Sequence, residues 1–318
     1  MQDSTSAASQ TSTEQMGIHV TPRLPDFEFG EDVPRLYYDG NIPLTSFWNA
    51  FSIAGEFFEV YFIKAGKKMV KQLPESDPLR DELIRFFQQE ANHGRTHGGL
   101  NRLLRKRGYP VKLAQRYCRD MIGYWEEFGR ELGLDNVLAA LGATAEQTLG
   151  DIGEAIFRDR ILKKIGMHPS VRGLLEWHFL EEMEHRAVLF DGYEATYGKR
   201  RGGYAAKVGA LFFGVPLFFT MLFAVSYILM EFEEEGSGKS LKNWRALLKW
   251  VFKDPGFIRI NSGTLRMLQP SYHPWTAYPE AVKYIADLKE EVFKEYWEDT
   301  EMKDFRDVAG SPRLKSVS

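Results

Sequence analysis

The sequence is poor in cysteine: Cys118 is the only one in 318 residues. An internal disulfide framework is therefore excluded, and the composition is typical of a reducing compartment. Neither sign of charge is in excess, since the net charge is −3, so we expect no nucleic-acid partner. The first residues, MQDSTSAASQTSTEQMG, lack the apolar run of a secretory signal. We expect a cytoplasmic protein, with the inner face of the membrane as the alternative location.

A second absence is that of β-strand patterning, because no run of residues alternates regularly between apolar and polar. Apolar residues instead recur at helical spacing, with proline and glycine at the ends of the segments. The predicted fold class is therefore all-α. The predicted helices cover residues 45–73, 77–108, 112–132, 135–166 and 168–198.

Changes in composition divide the chain into five parts. The lead-in is rich in Ser, Thr, Gln and Pro and is expected to be disordered or irregular, because it has little to bury. The predicted parts are the lead-in (1–40), a helical domain (41–205), a strongly apolar segment (206–235), amphipathic C-terminal helices (236–308) and a tail (309–318).

Residues 208–230 carry no charge over 23 positions. At about 1.5 Å per residue, this length suffices to cross a hydrocarbon layer about 30 Å thick. Gly214 and Pro216 interrupt the run, so a kinked span, a re-entrant pair of short helices and a buried core helix all remain open. Both flanks carry lysine and arginine, so the charge pattern does not orient a span. A membrane, contacted through residues 208–230, is therefore one of the expected partners.

Potential metal ligands are concentrated in two helices. Each helix contains a glutamate three positions before a histidine, Glu90 with His93 in QEANH and Glu182 with His185 in EEMEH. Residues at i and i+3 lie on one helix face, about 5–6 Å apart at Cβ. Each pair therefore presents one oxygen and one nitrogen to a metal ion.

Two further glutamates complete the pattern of a di-metal site in a four-helix bundle. Glu56 precedes Glu90 by 34 residues, and Glu146 precedes Glu182 by 36, as expected for a duplicated helix hairpin. Glu59 and Glu154 in their place give 31 and 28, a poorer match. The pattern predicts a bundle in which the helix at 111–132 crosses from one hairpin to the other.

Other polar residues fall near these ligands. His178 lies four residues before Glu182 on the same helix face and is expected to add a nitrogen ligand. Glu184 falls off this face and is expected to be exposed to solvent. The residues predicted to support the ligands are Gln89, His97, Glu181 and Asp191.

The motifs GEFF, FFQQEANHGRTHGGLN and EWHFLEEMEHRAVLFDGY resemble the bacterial family labelled predicted metal-dependent hydrolase, over roughly residues 40–270. The ligand layout also resembles that of ferritin-like di-iron oxygenases, and H-x-x-x-E-x-x-H is similar to the element that binds iron in p-aminobenzoate N-oxygenases. Where the family tends to have histidine after the third-helix glutamate, this chain has Gln147. The resemblance implies Glu56, Glu90, His93, Glu146, His178, Glu182 and His185 as metal ligands in a ferritin-like helical domain.

Three functions are compatible with such a site. The first is an O2-activating oxidase or oxygenase with two iron ions, manganese being the alternative, and with an electron donor as partner. Its expected substrate is an apolar or aromatic small molecule or a lipid, because Gly150 and other small residues near Glu146 could leave space beside the site. The alternatives are a hydrolase that uses a metal-bridging hydroxide, and a non-enzymatic iron-handling protein. The sequence is also compatible with a homodimer.

Overall fold

A computed structural model describes residues 10–164, 166–253, 265–277 and 279–297. Helices dominate these residues and no β-strand is present among them, which confirms the all-α prediction. The helices are α1 (Ser12–Gln15), α2 (Ile42–Val70), α3 (Pro78–Lys106), α4 (Val111–Glu131), α5 (Asp135–Arg158), α6 (Pro169–His185), α7 (Val188–Tyr193), α8 (Gly203–Gly209), α9 (Val215–Glu233), α10 (Leu241–Lys253), α11 (Pro274–Ala277) and α12 (Pro279–Trp297).

Local capping chemistry sets the starts of the long helices. Asn41 accepts a hydrogen bond from the backbone N–H of Leu44 and so begins α2 three residues before the predicted start. Asp77 caps α3 in the same way, directly before Pro78 at the first helical position. Gly108 follows α3 with a φ of +84°, a conformation that glycine adopts without strain.

Four of these helices form two antiparallel hairpins. In the first, Ser52 of α2 bonds Asn101 of α3, while Gly66 of α2 lies against Phe87 at the other end of α3. In the second, α5 packs along α6 in the same antiparallel manner. The hairpins meet through contacts of α2 with α5 and of α3 with α6, and α4 packs against both α2 and α5. The result is a four-helix arrangement whose interior is formed by α2, α3, α5 and α6.

The lead-in is irregular over residues 18–41, but it is packed against the helices. Ile18, Val20 and Val33 are buried, and Tyr38 forms a single β-bridge with Met167. The expectation of disorder is wrong for residues 11–16, because Ser12–Gln15 form α1, with a complete capping box at Thr11 and Met16 as the C-cap. Residues 1–9 and the tail at 309–318 lie outside the described residues.

The apolar segment forms one helical stretch over Gly203–Glu233, which by length and composition alone could cross a membrane. A π-helical turn at Ala210–Gly214 precedes α9. Pro216 in the first turn of α9 lacks a backbone N–H, and such a widened turn accommodates the missing hydrogen bond. Only a third of the most apolar window is buried. A buried core helix therefore describes this segment incompletely.

Candidate metal centre

Seven glutamates and histidines meet between the two hairpins. All are buried, with at most 1% of any of them exposed except Glu59 at 3%. Helix α2 supplies one glutamate, α5 supplies another, and α3 and α6 supply the two E-x-x-H pairs and the extra histidine. The members are Glu59, Glu90, His93, Glu146, His178, Glu182 and His185, which we call the cluster.

The cluster contains two overlapping groups of four side chains. In each group one ligand atom per residue lies within 4.8 Å of the others. Both groups contain His93 and Glu182, and Glu59 with His178 completes the first. Glu90 with His185 completes the second. Because two residues are shared, the groups are adjacent positions within one site.

Close contacts in the cluster join histidine nitrogens to carboxylates. His178 Nε2 lies 3.0 Å from Glu182 Oε1. The two ring nitrogens of His185 lie between two glutamates, with Nε2 3.1 Å from Glu90 Oε1 and Nδ1 2.9 Å from Glu146 Oε2. Glu146 belongs to neither group of four, but this contact places it at the edge of the second.

The glutamate predicted from α2 requires a correction. Glu56 is half-buried and accepts hydrogen bonds from Asn101 Nδ2 at 3.1 Å and Gln115 Nε2 at 2.7 Å, whereas Glu59, almost one turn later, joins the cluster. Equal ligand spacings require that the two hairpins have connections of equal length. In the structure 71–77 joins α2 to α3, while the longer segment 159–168 joins α5 to α6. Unequal connections give unequal ligand spacings.

Many polar atoms of the cluster make no hydrogen bond of regular geometry among the described residues, although several carboxylate oxygens and ring nitrogens face each other at 2.9–3.1 Å. They include both carboxylate oxygens of Glu90, Glu146 and Glu182, one oxygen of Glu59, and ring nitrogens of all three histidines. A buried carboxylate without a partner is costly, and a bound cation compensates for this cost. Imidazole nitrogens and carboxylate oxygens are also donors that first-row transition metals bind. The donor set therefore fits metal ions.

The pKa values of the cluster carboxylates in the metal-free protein also favour a cation-binding site. Burial, and the repulsion between neighbouring carboxylates, raises the pKa of Glu59 and Glu90 well above the usual range. Burial does the same to the pKa of Glu146 and, together with Glu146, raises the pKa of Glu182 to about 8. Without a metal ion, the site keeps protons on its carboxylates.

The carboxylate of Glu181 contacts the ring nitrogen of His93 that faces away from the cluster. His93 Nδ1 faces Glu90 and Glu182, each at 3.6 Å, while Nε2 lies 3.1 Å from Glu181 Oε2. Burial would lower the pKa of His93, but the hydrogen bond to Glu181 and the nearby carboxylates raise it to about 9. The other oxygen of Glu181 pairs with Arg23 at 2.8 Å. Such a partner fixes the orientation of an imidazole whose other nitrogen binds metal.

A second chain of contacts holds His178. Its Nδ1 lies 3.1 Å from His97 Nε2, and His97 Nδ1 lies 3.1 Å from Ser52 Oγ. Burial, together with the nearby His93, lowers the pKa of His97 to about 3, so this ring is neutral. His97 therefore touches one candidate ligand and leaves Nε2 of His178 facing Glu182.

Three expectations for neighbouring residues are wrong. Glu184 is fully buried and pairs with Arg23 at 3.1 Å and Lys289 at 2.7 Å, instead of facing solvent. Gln89 bonds Glu184 and the backbone of Thr21, not a histidine. Asp191 pairs with Ser12 and His273 away from the cluster. The cations that pair with buried Glu184 come from distant segments of the chain, so helix periodicity within α6 could not identify them.

Gly150 and Gly153 of α5 serve close helix packing. A Cβ at Gly150 would lie 3.2 Å from the carbonyl oxygen of Glu182, and one at Gly153 would lie 2.7 Å from that of Phe179. The backbone of α6 thus occupies the space that these residues leave. The expectation that they provide room for O2 or substrate is wrong at both glycines.

The pair Glu56 and Glu59 provides a matched test of the site. We expect Glu59→Gln to lower the metal content of the purified protein by about one ion per chain, because the amide removes a charged donor. Glu56→Gln should keep the metal content of the unaltered chain. Metal analysis of both variants after the same reconstitution checks this. Equal losses of metal in the two variants would contradict the assignment of Glu59, and not Glu56, to the cluster.

Comparison with known proteins gives one match. A family model described as "predicted metal-dependent hydrolase" matches residues 21–277. No curated protein and no solved structure matches the chain. The matched region contains every helix that contributes to the cluster, together with Arg23 of the lead-in.

Proposed function

The chain belongs to the family described as predicted metal-dependent hydrolase, and we propose that it is a metalloenzyme whose buried cluster activates water for hydrolysis. One observation carries this proposal: seven buried glutamates and histidines converge, and most of their polar atoms make no regular hydrogen bond within the described residues. The family description favours hydrolysis over the O2 chemistry that the sequence suggested first.

We assign the two groups of four side chains to two adjacent metal positions that would share Glu182, whose two oxygens can serve both, while His93, with Nε2 held by Glu181, has only Nδ1 to offer to one of them. Glu59 and His178 belong to the first position, and Glu90 and His185 to the second. Iron and manganese suit this mixture of carboxylate and imidazole donors, and zinc is a further candidate. Such ions supply Lewis acidity and make a water molecule acidic enough to lose a proton near neutral pH.

The protein's own residues then have distinct roles. Glu181, held by Arg23, orients His93, and His97 orients His178. Glu146 is the proposed proton acceptor, because it lies at the edge of the second group, where its Oε2 faces His185 Nδ1 at 2.9 Å and neither oxygen makes a hydrogen bond of regular geometry in the described structure. Burial raises its pKa in the metal-free chain, and nearby cations would lower that pKa again.

Hydrolysis should depend on the metal. Chelator-treated protein is expected to lose activity against a panel of carboxylic esters, amides and phosphate esters, and one added metal should restore it. The measurement is the release of product by protein reconstituted with iron, manganese or zinc. Activity that persists in protein shown to be free of metal would refute this mechanism.

O2 activation is the second candidate, favoured by one feature of the site. One glutamate from each of α2 and α5 meets an E-x-x-H pair from each of α3 and α6, as in di-iron carboxylate bundles. Rapid mixing of the anaerobic ferrous protein with O2 separates the candidates. A transient visible absorbance followed by substrate oxidation would favour oxygen chemistry, and inertness towards O2 with metal-dependent cleavage would favour hydrolysis. Metal binding without either reaction would favour iron handling.

A further inference from the structure

An apolar cavity lies beside the cluster, between α2, α4, α5 and α9. It is distinct from the polar cluster, and its walls are largely hydrocarbon and aromatic. Residues from each of the four helices contribute, among them Tyr61, Phe62, Trp125, Leu149, Phe218 and Met221. Binding sites for small molecules are usually of this kind, apolar with a few polar groups.

Two residues of the cavity wall lie one helical turn after cluster residues, although no cluster residue itself lines the cavity. Phe62 lies three residues after Glu59 on α2, and Leu149 lies three residues after Glu146 on α5. Side chains at this spacing share a helix face and lie about 5–6 Å apart at Cβ. A molecule in the cavity is therefore about one helical turn from two cluster carboxylates.

One polar group in the wall is free to bind a ligand. Thr144 is 1% exposed, and its hydroxyl has no hydrogen-bond partner within the described residues. The hydroxyls of Tyr61, Thr148 and Thr220 in the same wall bond to backbone carbonyls at 2.5, 2.8 and 2.8 Å. Because an unsatisfied buried hydroxyl is costly, Thr144 indicates a polar atom on the occupant.

The outer part of the cavity is bordered by exposed aromatic residues. On α4, Trp125 lines the cavity and is partly exposed, and Tyr124 and Phe128 beside it are exposed. Before α9, Phe213 is 78% exposed and adjoins Gly214, which lines the cavity. The three rings of α4 pack against one another, and an exposed apolar patch of this kind marks a site of contact with an apolar ligand or a membrane.

We propose that the cavity binds the hydrocarbon part of the substrate, a single fatty-acyl or alkyl chain, with its polar end directed to Thr144. This inference rests on the proposed function, since it assigns the cavity to the substrate of the cluster. A flexible chain fits walls that run from the exposed aromatics of α4 to the buried Phe62 and Leu149. The chain enters either from a bilayer or from solution.

Displacement of a fluorescent fatty acid, cis-parinaric acid, by saturated fatty acids of increasing length tests the proposal on the full chain. We expect saturable binding, with an affinity that rises about three- to fourfold per added methylene until the cavity is filled. Ala145→Phe places a ring in the cavity wall and should lower the affinity at least about tenfold. Ala246→Phe on exposed α10 is the matched control and should bind normally.

A milder variant guards against misfolding of Ala145→Phe. Thr144→Val keeps the side-chain shape, removes the free hydroxyl and should weaken fatty-acid binding about three- to tenfold. Absence of saturable binding, or an affinity that ignores both chain length and Ala145→Phe, would overturn the proposal. Metal content is measured on the same samples, so a fully loaded protein that binds no chain refutes this inference and leaves the proposed function standing.

The source of the chain is distinguished by delivery. Labelled fatty acid is offered either bound to phosphatidylcholine vesicles or free in solution, and the rate of loading is compared. Faster loading from vesicles that Phe213→Ser abolishes would assign the chain to membrane lipid. Equal loading from both sources, unaffected by Phe213→Ser, would assign it to a soluble acyl compound.

Discussion

Glu182→Gln should remove metal from both positions of the cluster and abolish hydrolysis. Glu182 belongs to both groups of four and lies 3.0 Å from His178. The amide keeps the size of the side chain but removes its charge and one strong donor oxygen. Mutation of a residue that only hydrogen-bonds a metal ligand already costs about 10- to 100-fold in metal affinity or activity. Loss of a ligand shared by both positions should therefore cost more than about 100-fold.

Metal analysis and hydrolysis by reconstituted Glu182→Gln measure this effect. Asp191→Asn is the matched control, because the carboxylate of Asp191 is also largely removed from solvent, at 17% exposed, but contacts Ser12 and His273 instead of the cluster. We expect the control to bind metal as the unaltered chain does. A Glu182→Gln protein that holds both ions at unaltered affinity would contradict the assignment of the shared ligand.

Helix periodicity accounts for what the sequence could predict of this site. Glu90 with His93 and Glu182 with His185 were predicted from their spacing alone, and the structure places both pairs in the cluster. His178 followed from the same periodicity, because it lies one turn before Glu182. Contacts within one helix depend only on the local sequence, so they are the part of a site that a sequence reveals most directly.

Contacts between distant segments account for the errors. Glu59 replaced Glu56 because the connections of the two hairpins differ in length, which no pattern within α2 encodes. Glu184 was expected in solvent because neither Arg23 in the lead-in nor Lys289 on α12 could be placed next to it. The same limit hid Arg23 as the partner of Glu181. An arginine in a proline-containing lead-in has no local signal that marks it as part of a buried site.

The metal-free protein should lose stability as the pH rises from about 6.5 to 8.5. Glu182 has a pKa of about 8 in the folded chain against 4.5 as its usual value, so between these values only the folded state holds the proton. The pKa of His93 is likewise raised, from 6.5 to about 9, so between these pH values only the folded state keeps its proton. In both cases the folded state binds more protons than the unfolded state, and stability falls with rising pH by up to about 1.4 kcal/mol per pH unit for each group.

Three histidines act in the opposite direction, but only at lower pH. Burial lowers the pKa of His97 to about 3, that of His185 to about 4 and that of His178 well below its usual value of 6.5. Their deprotonated folded forms make stability rise with pH up to about 6.5 and contribute no further change above it. The raised pKa values of Glu59, Glu90 and Glu146 add to the fall above 6.5. The net direction in this range is therefore downward.

Thermal unfolding of chelator-treated protein, followed by circular dichroism at several pH values, measures this dependence. We expect the midpoint to fall by a few degrees per pH unit, and metal-loaded protein to show a weaker dependence because bound cations replace the protons. A flat or rising midpoint in the metal-free protein would contradict the protonation of the cluster. Metal-free Glu182→Gln should be more stable at pH 8 than the metal-free unaltered chain, since the amide needs no proton to remain neutral. The substitution that abolishes function would then stabilise the empty fold, which is expected when carboxylates are buried to bind metal and not to hold the helices together.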